Sequence, residues 1–252
     1  MFNQRPRNLR VALIRLVFSG AIAAASSSSM TATAEAASAG THAASSIESG
    51  LSAEAWSESA IGDIDPKVFA MALEAASAAV ARGDAPHPGT LTVIDFSKPS
   101  TQKRLWVFDL RSHTLLYDEV VSHGRGSGRT MATKFSNDPG SAESSLGLFR
   151  TGETYIGKHG YSLRLDGLEP VVNDRARERA LVMHPAPYVN PAAARAQGYL
   201  GRSLGCPALR PEIAHELIDA VKGGGLVFAY YPDPRWLRQS RFLQCDATLA
   251  AK

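Results

Sequence analysis

From Thr90 onward the apolar residues come in short, β-branched runs broken by glycine, proline and polar turn residues, and any fold has to satisfy that period. Leu91-Thr92-Val93-Ile94-Asp95-Phe96, Leu105-Trp106-Val107-Phe108-Asp109-Leu110 and Leu115-Leu116-Tyr117-Asp118-Glu119-Val120-Val121 read as strands. Residues 147–151, 161–165, 180–184 and 226–231 are further strand candidates. Many strands at short spacing with few helices exclude a doubly wound parallel sheet and point to a sandwich or barrel. The expected fold is therefore mainly β with a few helices, sandwich-like, and preceded by one N-terminal helix.

That helix is signalled within residues 61–84. Asp65-Pro66 supplies an N-cap followed by proline at the first helical position, and Val68, Met71, Ala72, Ala75 and Ala79 recur at helical spacing before Gly83. A second helix is expected over 211–222, where Ile213, Leu217, Ala220 and Val221 share a face and three glycines follow.

The first 36 residues have a different character. Arg5, Arg7 and Arg10 precede an apolar stretch, interrupted by Arg15, whose ten-residue run 16–25 is about half of the ~20 residues needed to cross a bilayer. Small residues follow, with Ala34-Glu35-Ala36 and Ala32-Thr33-Ala34 as competing cleavage sites. This is the order of a secretory signal, so the chain is expected to be exported to the periplasm or cell-wall space, with no stable membrane insertion after cleavage.

The formal charge of +3 at first invites a nucleic-acid reading. Residues 1–36 hold four arginines and one glutamate, however, which leaves 23 basic and 23 acidic residues beyond them. A formally neutral domain is not expected to bind nucleic acid. The organisation is then a signal peptide (1–36), an Ala/Ser-rich flexible linker (37–60), the N-terminal helix (61–84), a catalytic domain (85–235) and a C-terminal tail (236–252).

Three glycine-rich segments each carry a histidine or cysteine: Ser122-His123-Gly124-Arg125-Gly126-Ser127-Gly128, Gly157-Lys158-His159-Gly160 and Gly201-Arg202-Ser203-Leu204-Gly205-Cys206-Pro207. His184 ends a strand candidate, while His87, His113 and His215 read as ordinary solvated or hydrogen-bonded side chains. Gly205 before Cys206 allows a sharp turn at a potential nucleophile and leaves backbone N–H groups for a developing oxyanion. A free thiol is only a few per cent ionised at pH 7, so Cys206 needs a base, and His184 is the candidate. The residues alone leave Cys206 open to a second role, a disulfide with Cys245 in an oxidising compartment.

Residues 91–232 resemble the L,D-transpeptidase catalytic family of cell-wall enzymes, of the YkuD type, in its murein L,D-transpeptidase branch. The three glycine-rich segments carry the resemblance, together with Phe135-Ser136-Asn137, Ser144-Ser145-Leu146-Gly147 and Val182-Met183-His184. The family's wider signature is a histidine followed by a Ser/Thr-His-Gly-Cys segment that ends in Asn or Arg. Here His184, Ser203, Gly205 and Cys206 match, whereas Leu204 replaces the motif histidine and Ala208 replaces the Asn or Arg.

The resemblance implies cysteine acyl transfer on peptidoglycan stem peptides without a cofactor or metal. Cys206 would attack the carbonyl of the diacid residue preceding the terminal D-alanine, with His184 as base and a carbonyl such as that of Pro185 orienting its ring. The N–H groups of Gly205 and Cys206 are expected to form the oxyanion hole. Arg202, Arg210, Lys158, His159 and His123 are the candidate substrate-binding residues, with Arg125, Arg129 and Arg164 as further cations beside the loops. Two other readings stay in play: a zinc-dependent wall peptidase using His123, His159, His184 and Cys206, and a non-catalytic wall-binding module with a Cys206–Cys245 bridge. The sequence fixes no oligomeric state.

Overall fold

The computed structural model describes residues 50–243. The expected signal peptide, most of the expected linker and Cys245 lie outside the described residues. Among those described, eight strands form one continuous sheet in the order β3-β2-β1-β8-β4-β5-β6-β7. The strands are β1 (Thr90–Asp95), β2 (Leu105–Asp109), β3 (Thr114–Glu119), β4 (Gly147–Gly157), β5 (Gly160–Gly167), β6 (Val182–Pro185), β7 (Ala208–Leu209) and β8 (Leu226–Tyr230). Five helices accompany them: α1 (Glu58–Ile61), α2 (Pro66–Ala81), α3 (Pro191–Gln197), α4 (Pro211–Val221) and α5 (Pro234–Gln239). The expected mainly β fold with a few helices and a preceding helix is what forms, with its layers supplied by one curled sheet.

Helix α2 begins where its cap predicts, Asp65 accepting a hydrogen bond from the Lys67 N–H at 2.8 Å with Pro66 at the first position. Its buried face of Val68, Phe69, Ala72, Leu73, Ala75, Ala76 and Ala79 joins the main core. Phe69 meets Phe108 of β2 at 4.7 Å between ring centroids, and Trp56 lies edge-on to both at 5.2 and 5.4 Å. Each such ring removed from water contributes on the order of 2–3 kcal/mol.

This aromatic cluster corrects the linker boundary. Residues 50–60 are not a loose tether: Trp56 is buried, its indole N–H donates to the Gly50 carbonyl at 2.9 Å, and α1 follows at once. The tail boundary moves as well, because α5 buries Trp236, and Phe242 and Leu243 pack into the same core. Small alanine and serine side chains hid the first segment, and a single tryptophan gave the second no period to read.

Strand β4 runs six residues beyond its expected end. It continues with β5 as a two-stranded ribbon, interrupted by a register shift between Thr151 and Thr154, and closes through a two-residue turn at Lys158-His159. Its outer half has no buried face, with Glu153 and Ile156 exposed, so alternation fades there. Strand β7, two residues long, has no period to detect, yet it pairs in parallel with β6 and matches His184 to Ala208. Helices α3 and α5 were missed for a similar reason: each buries one side chain, although Asn190-Pro191 and Asp233-Pro234 carry the same start signal as Asp65-Pro66.

Candidate active site

The segment leading to Cys206 is held by a set of interlocking hydrogen bonds. Ser203 forms an isolated parallel bridge with Gly124; its N–H donates to the His123 carbonyl at 2.9 Å and its own carbonyl accepts from the Arg125 N–H at 2.8 Å. The Ser203 hydroxyl donates to the Cys206 carbonyl at 2.7 Å and accepts the Gly205 N–H at 3.0 Å. A short polar side chain thereby closes the turn from inside.

Gly205 sits at φ +130°, and a Cβ there would stand 2.8 Å from the Glu143 carbonyl oxygen. Gly124 is constrained by space: a Cβ would lie 2.3 Å from the Ala142 carbonyl oxygen and 2.9 Å from the Gly205 Cα. The two glycine-rich segments are therefore packed backbone against backbone, with the residue 141–143 strip between them and solvent. Ser144 completes the contact, accepting the Gly124 N–H and donating to the Gly205 carbonyl, both at 3.0 Å.

Cys206 carries a free, partly exposed thiol, which donates to the Ala180 carbonyl at 3.7 Å. Burial pushes this thiol up from its ordinary value, and the Val182 N–H, the Arg179 guanidinium, its own backbone N–H and Lys158 pull in the opposite direction. The Cys206 N–H is a candidate donor for an oxyanion, which would develop on the oxygen of the attacked carbonyl. The expected second donor is otherwise engaged, since the Gly205 N–H is bound to Ser203 Oγ.

His184 arrives from β6. Parallel pairing with β7 sets it level with Ala208, two residues past Cys206 and one strand away. The ring is buried and its Nδ1 lies 2.9 Å from the Pro185 carbonyl. A carbonyl only accepts, so Nδ1 carries the proton and Nε2 keeps its lone pair. Burial lowers the pKa of His184, against the Pro185 carbonyl that raises it, while His159 and Lys158 lower it further.

The β4–β5 turn brings two more of the expected residues here. His159, exposed at the tip, stacks on His184 with 4.5 Å between ring centroids, and Lys158 acts on the charge of both His184 and Cys206. Cys206, His184, Ser203, Gly205, Lys158 and His159 are thus gathered by three separate pieces of chain.

Four expected residues are spent elsewhere. His123 is fully buried: its Nδ1 accepts from the Arg104 guanidinium at 2.7 Å and its Nε2 faces the Gly128 carbonyl at 3.4 Å, so it has no face for a groove. Burial, followed by the Arg104 charge, takes its pKa down to about 4. Arg210 grips both carboxylate oxygens of Glu119 at 3.0 and 2.6 Å. Arg202 donates to the Gly128 carbonyl at 3.0 Å and, with Arg129, lies over the Tyr199 ring. Arg164 pairs with Glu153 at 3.0 Å. Among the described residues no group of three or more His, Cys, Asp or Glu side chains is placed to hold a metal ion, and the engagement of both His123 nitrogens is one reason.

Two residues beside the thiol carry no sequence signal. Arg179 leaves the turn-rich segment 170–180, and Tyr188 follows β6; each interacts electrostatically with Cys206. Burial, assisted by the Cys206 charge, pushes the Tyr188 phenol up to about 12. Neither position lies in a glycine-rich or periodic stretch, so only the tertiary contact reveals them.

The family model of the L,D-transpeptidase catalytic domain matches residues 60–230, more than half of the chain. The chain belongs to the L,D-transpeptidase catalytic domain family. Its place in this transpeptidase family agrees with the thiol, imidazole and glycine-rich loops just described. Solved structures similar to it include an L,D-transpeptidase from Mycobacterium smegmatis, at 17% identity over 57% of this chain and 59% of that chain, with a TM-score of 0.36. L,D-transpeptidase 3 from Mycobacterium tuberculosis, in complex with a faropenem-derived adduct, shares 16% identity over 57% of this chain and 61% of that one, with a TM-score of 0.37. The chain thus spans less than two thirds of the length of either. No curated protein matches it.

Proposed function

We propose that the protein is an exported cysteine acyltransferase acting on peptidoglycan stem peptides. The observation that carries this reading is the parallel β6–β7 pairing, which sets His184 one strand from the Cys206 segment with Nδ1 bound to Pro185 and Nε2 unprotonated. Both partners favour their neutral forms, so the thiol proton moves to Nε2 as the sulfur attacks. The reacting carbonyl is that of the diacid residue before the terminal D-alanine.

Attack creates an oxyanion on the substrate's carbonyl oxygen, for which the Cys206 N–H is the expected donor, of the kind worth ~2.7–4 kcal/mol in the transition state. The C–N bond then breaks, the imidazolium returns the proton to the departing D-alanine amine, and a thioester remains on Sγ. The amine of a second stem peptide, or water, takes the acyl group and frees the thiol. Lys158 and His159 at the ribbon tip supply cationic and hydrogen-bonding contacts for the carboxylates of a stem peptide. Residues 1–36 direct export to the periplasm or cell-wall space.

Intact mass after incubation with purified muropeptides tests the reading. A thioester-sized adduct is expected on the wild type and not on Cys206→Ala. Its absence with tetrapeptide and pentapeptide donors alike, in protein whose Cys206 thiol is shown to be free, would overturn the acyltransferase assignment.

A further inference from the structure

Arg179 stands beside the nucleophile segment and has no part in the steps above. It is half-buried and fixed at four points: Nη1 donates to the Ser136 carbonyl and Ser145 Oγ at 2.5 and 2.6 Å, and Nη2 to Ser141 Oγ and the Glu143 carbonyl at 3.1 and 2.6 Å. All four partners belong to the strip 136–145, and all are neutral. The charge of the guanidinium is therefore not cancelled by a bound carboxylate, in contrast to Arg210 on Glu119 or Arg177 on Glu153.

The position of this charge is also fixed. A Cβ on Gly205 would stand 3.4 Å from Arg179 Nη2, so the guanidinium lies against the residue preceding the nucleophile. The next residue along the chain, Ala180, adopts φ +53° and presents its carbonyl to Cys206 Sγ. One short piece of chain thus delivers both a cation and the thiol's hydrogen-bond acceptor to the nucleophile segment.

We propose that Arg179 is the fixed positive group of this site, a positioning residue that holds the strip 136–145 against Gly205 and presents to the Cys206 sulfur a charge to which no carboxylate is hydrogen-bonded. It does so from outside the nucleophile's own segment, where Ala208 supplies no cation. The proposal rests on Cys206 being the nucleophile. Other charged or titratable groups that act on the sulfur are Lys158 on the ribbon tip and Tyr188 after β6; those facing Arg179 are Asp138, Glu143 and Arg175. Lys158 is exposed on a turn and is screened by solvent and salt, whereas Arg179 is half-buried and immobilised. Burial makes Arg179 itself easier to deprotonate, yet an arginine stays charged across the range in which a thiol titrates.

The test needs no peptidoglycan substrate: the rate of Cys206 alkylation by iodoacetamide is followed against pH for wild type, Arg179→Gln and Arg179→Lys, with Cys245 changed to serine in all three. For Arg179→Gln the inflection is expected to rise by about one pH unit, with about tenfold less thiolate near pH 7. For Arg179→Lys, which keeps the charge, it is expected to stay within a few tenths of wild type. Loss of packing alone would lower the melting temperature without separating the two variants. An unchanged inflection in Arg179→Gln, or an equal rise in both, would overturn the proposal. If Arg179→Gln does not fold, the lysine variant decides alone: an inflection near wild type supports the proposal and a rise of a full unit rejects it. Failure of the wild type to form a thioester with muropeptides would count against the acyltransferase reading and leave this titration interpretable.

Discussion

The Nδ1 of His184 lies 2.9 Å from the carbonyl oxygen of Pro185, so the candidate base is oriented by the residue that follows it in sequence. A proline carbonyl cannot donate, and it has no proton to gain or lose as the pH changes. The tautomer is therefore set by local geometry, with Nε2 left as the basic nitrogen. Replacing His184 with glutamine removes that base. Thioester formation is expected to slow by about 10²–10⁴-fold, measured by intact-mass time courses, while free-thiol counts stay unchanged.

The same histidine sets the acid limb of the reaction. Its pKa is held below the ordinary value of 6.5, chiefly by burial, so the base stays neutral as pH falls through 6.5 and is lost only at lower pH. Acylation rates should accordingly persist below pH 6.5 and then fall with an inflection that tracks the His184 imidazole resonance in NMR. An acid limb centred above 6.5 would contradict this placement of the ring.

His123 predicts a pH dependence of stability. Its folded pKa of about 4 lies below its unfolded value of 6.5, so the unfolded chain binds the proton first as pH falls. Its contribution is complete above 6.5 and is lost as pH drops toward 4, amounting to about 3 kcal/mol. Urea unfolding of His123→Gln between pH 7 and 4 should show a shallower decline than wild type, because glutamine can face Arg104 without taking up a proton.

Gly205 and Ser203 give a paired prediction about the turn. Alanine at 205 would have to adopt φ +130° with its Cβ 2.8 Å from a carbonyl oxygen, and a cost of at least ~1–3 kcal/mol is expected. Ser203→Ala instead leaves the Gly205 N–H and the Cys206 carbonyl without their hydroxyl partner, at about 1–3 kcal/mol. Chemical denaturation should show both losses, and both variants should alkylate and acylate more slowly than wild type, since each alters the backbone that aims the sulfur.

Charge reversal at the ribbon tip should move two titrations in the same direction. Lys158 lowers the pKa of both Cys206 and His184, so Lys158→Glu should raise both. Alkylation profiles would report the thiol and NMR the imidazole. Both shifts should shrink as salt is added, because Lys158 is exposed. A shift in one group alone would place the turn away from the pair.

Much of the frame was legible in the chain. The short apolar and β-branched runs located β1, β2, β3, β5 and β8, and Asp65-Pro66 located the start of α2; β1, β2, β8 and α2 are recorded most clearly because they are largely buried. Elements that bury little escaped notice: β7 with two residues, the solvated half of β4, and helices α3 and α5 with one buried side chain each. The linker and tail boundaries were misplaced because Trp56, Phe242 and Leu243 enter the core singly, without a repeating neighbour.

The candidate site divides along the same physical line. Gly205-Cys206, Ser203 and His184 could be named from residue type, since only a few side chains can attack, deprotonate or turn in that way. Sequence could not tell which cations are available, because a charge is cancelled or left open by partners far along the chain. Arg210 meets Glu119, His123 meets Arg104, and Arg179 meets only neutral oxygens beside the sulfur. Short-range chemistry named the candidate nucleophile and base, and tertiary contact decided the electrostatics around them, because Coulomb interactions depend on distance and burial and not on order along the chain.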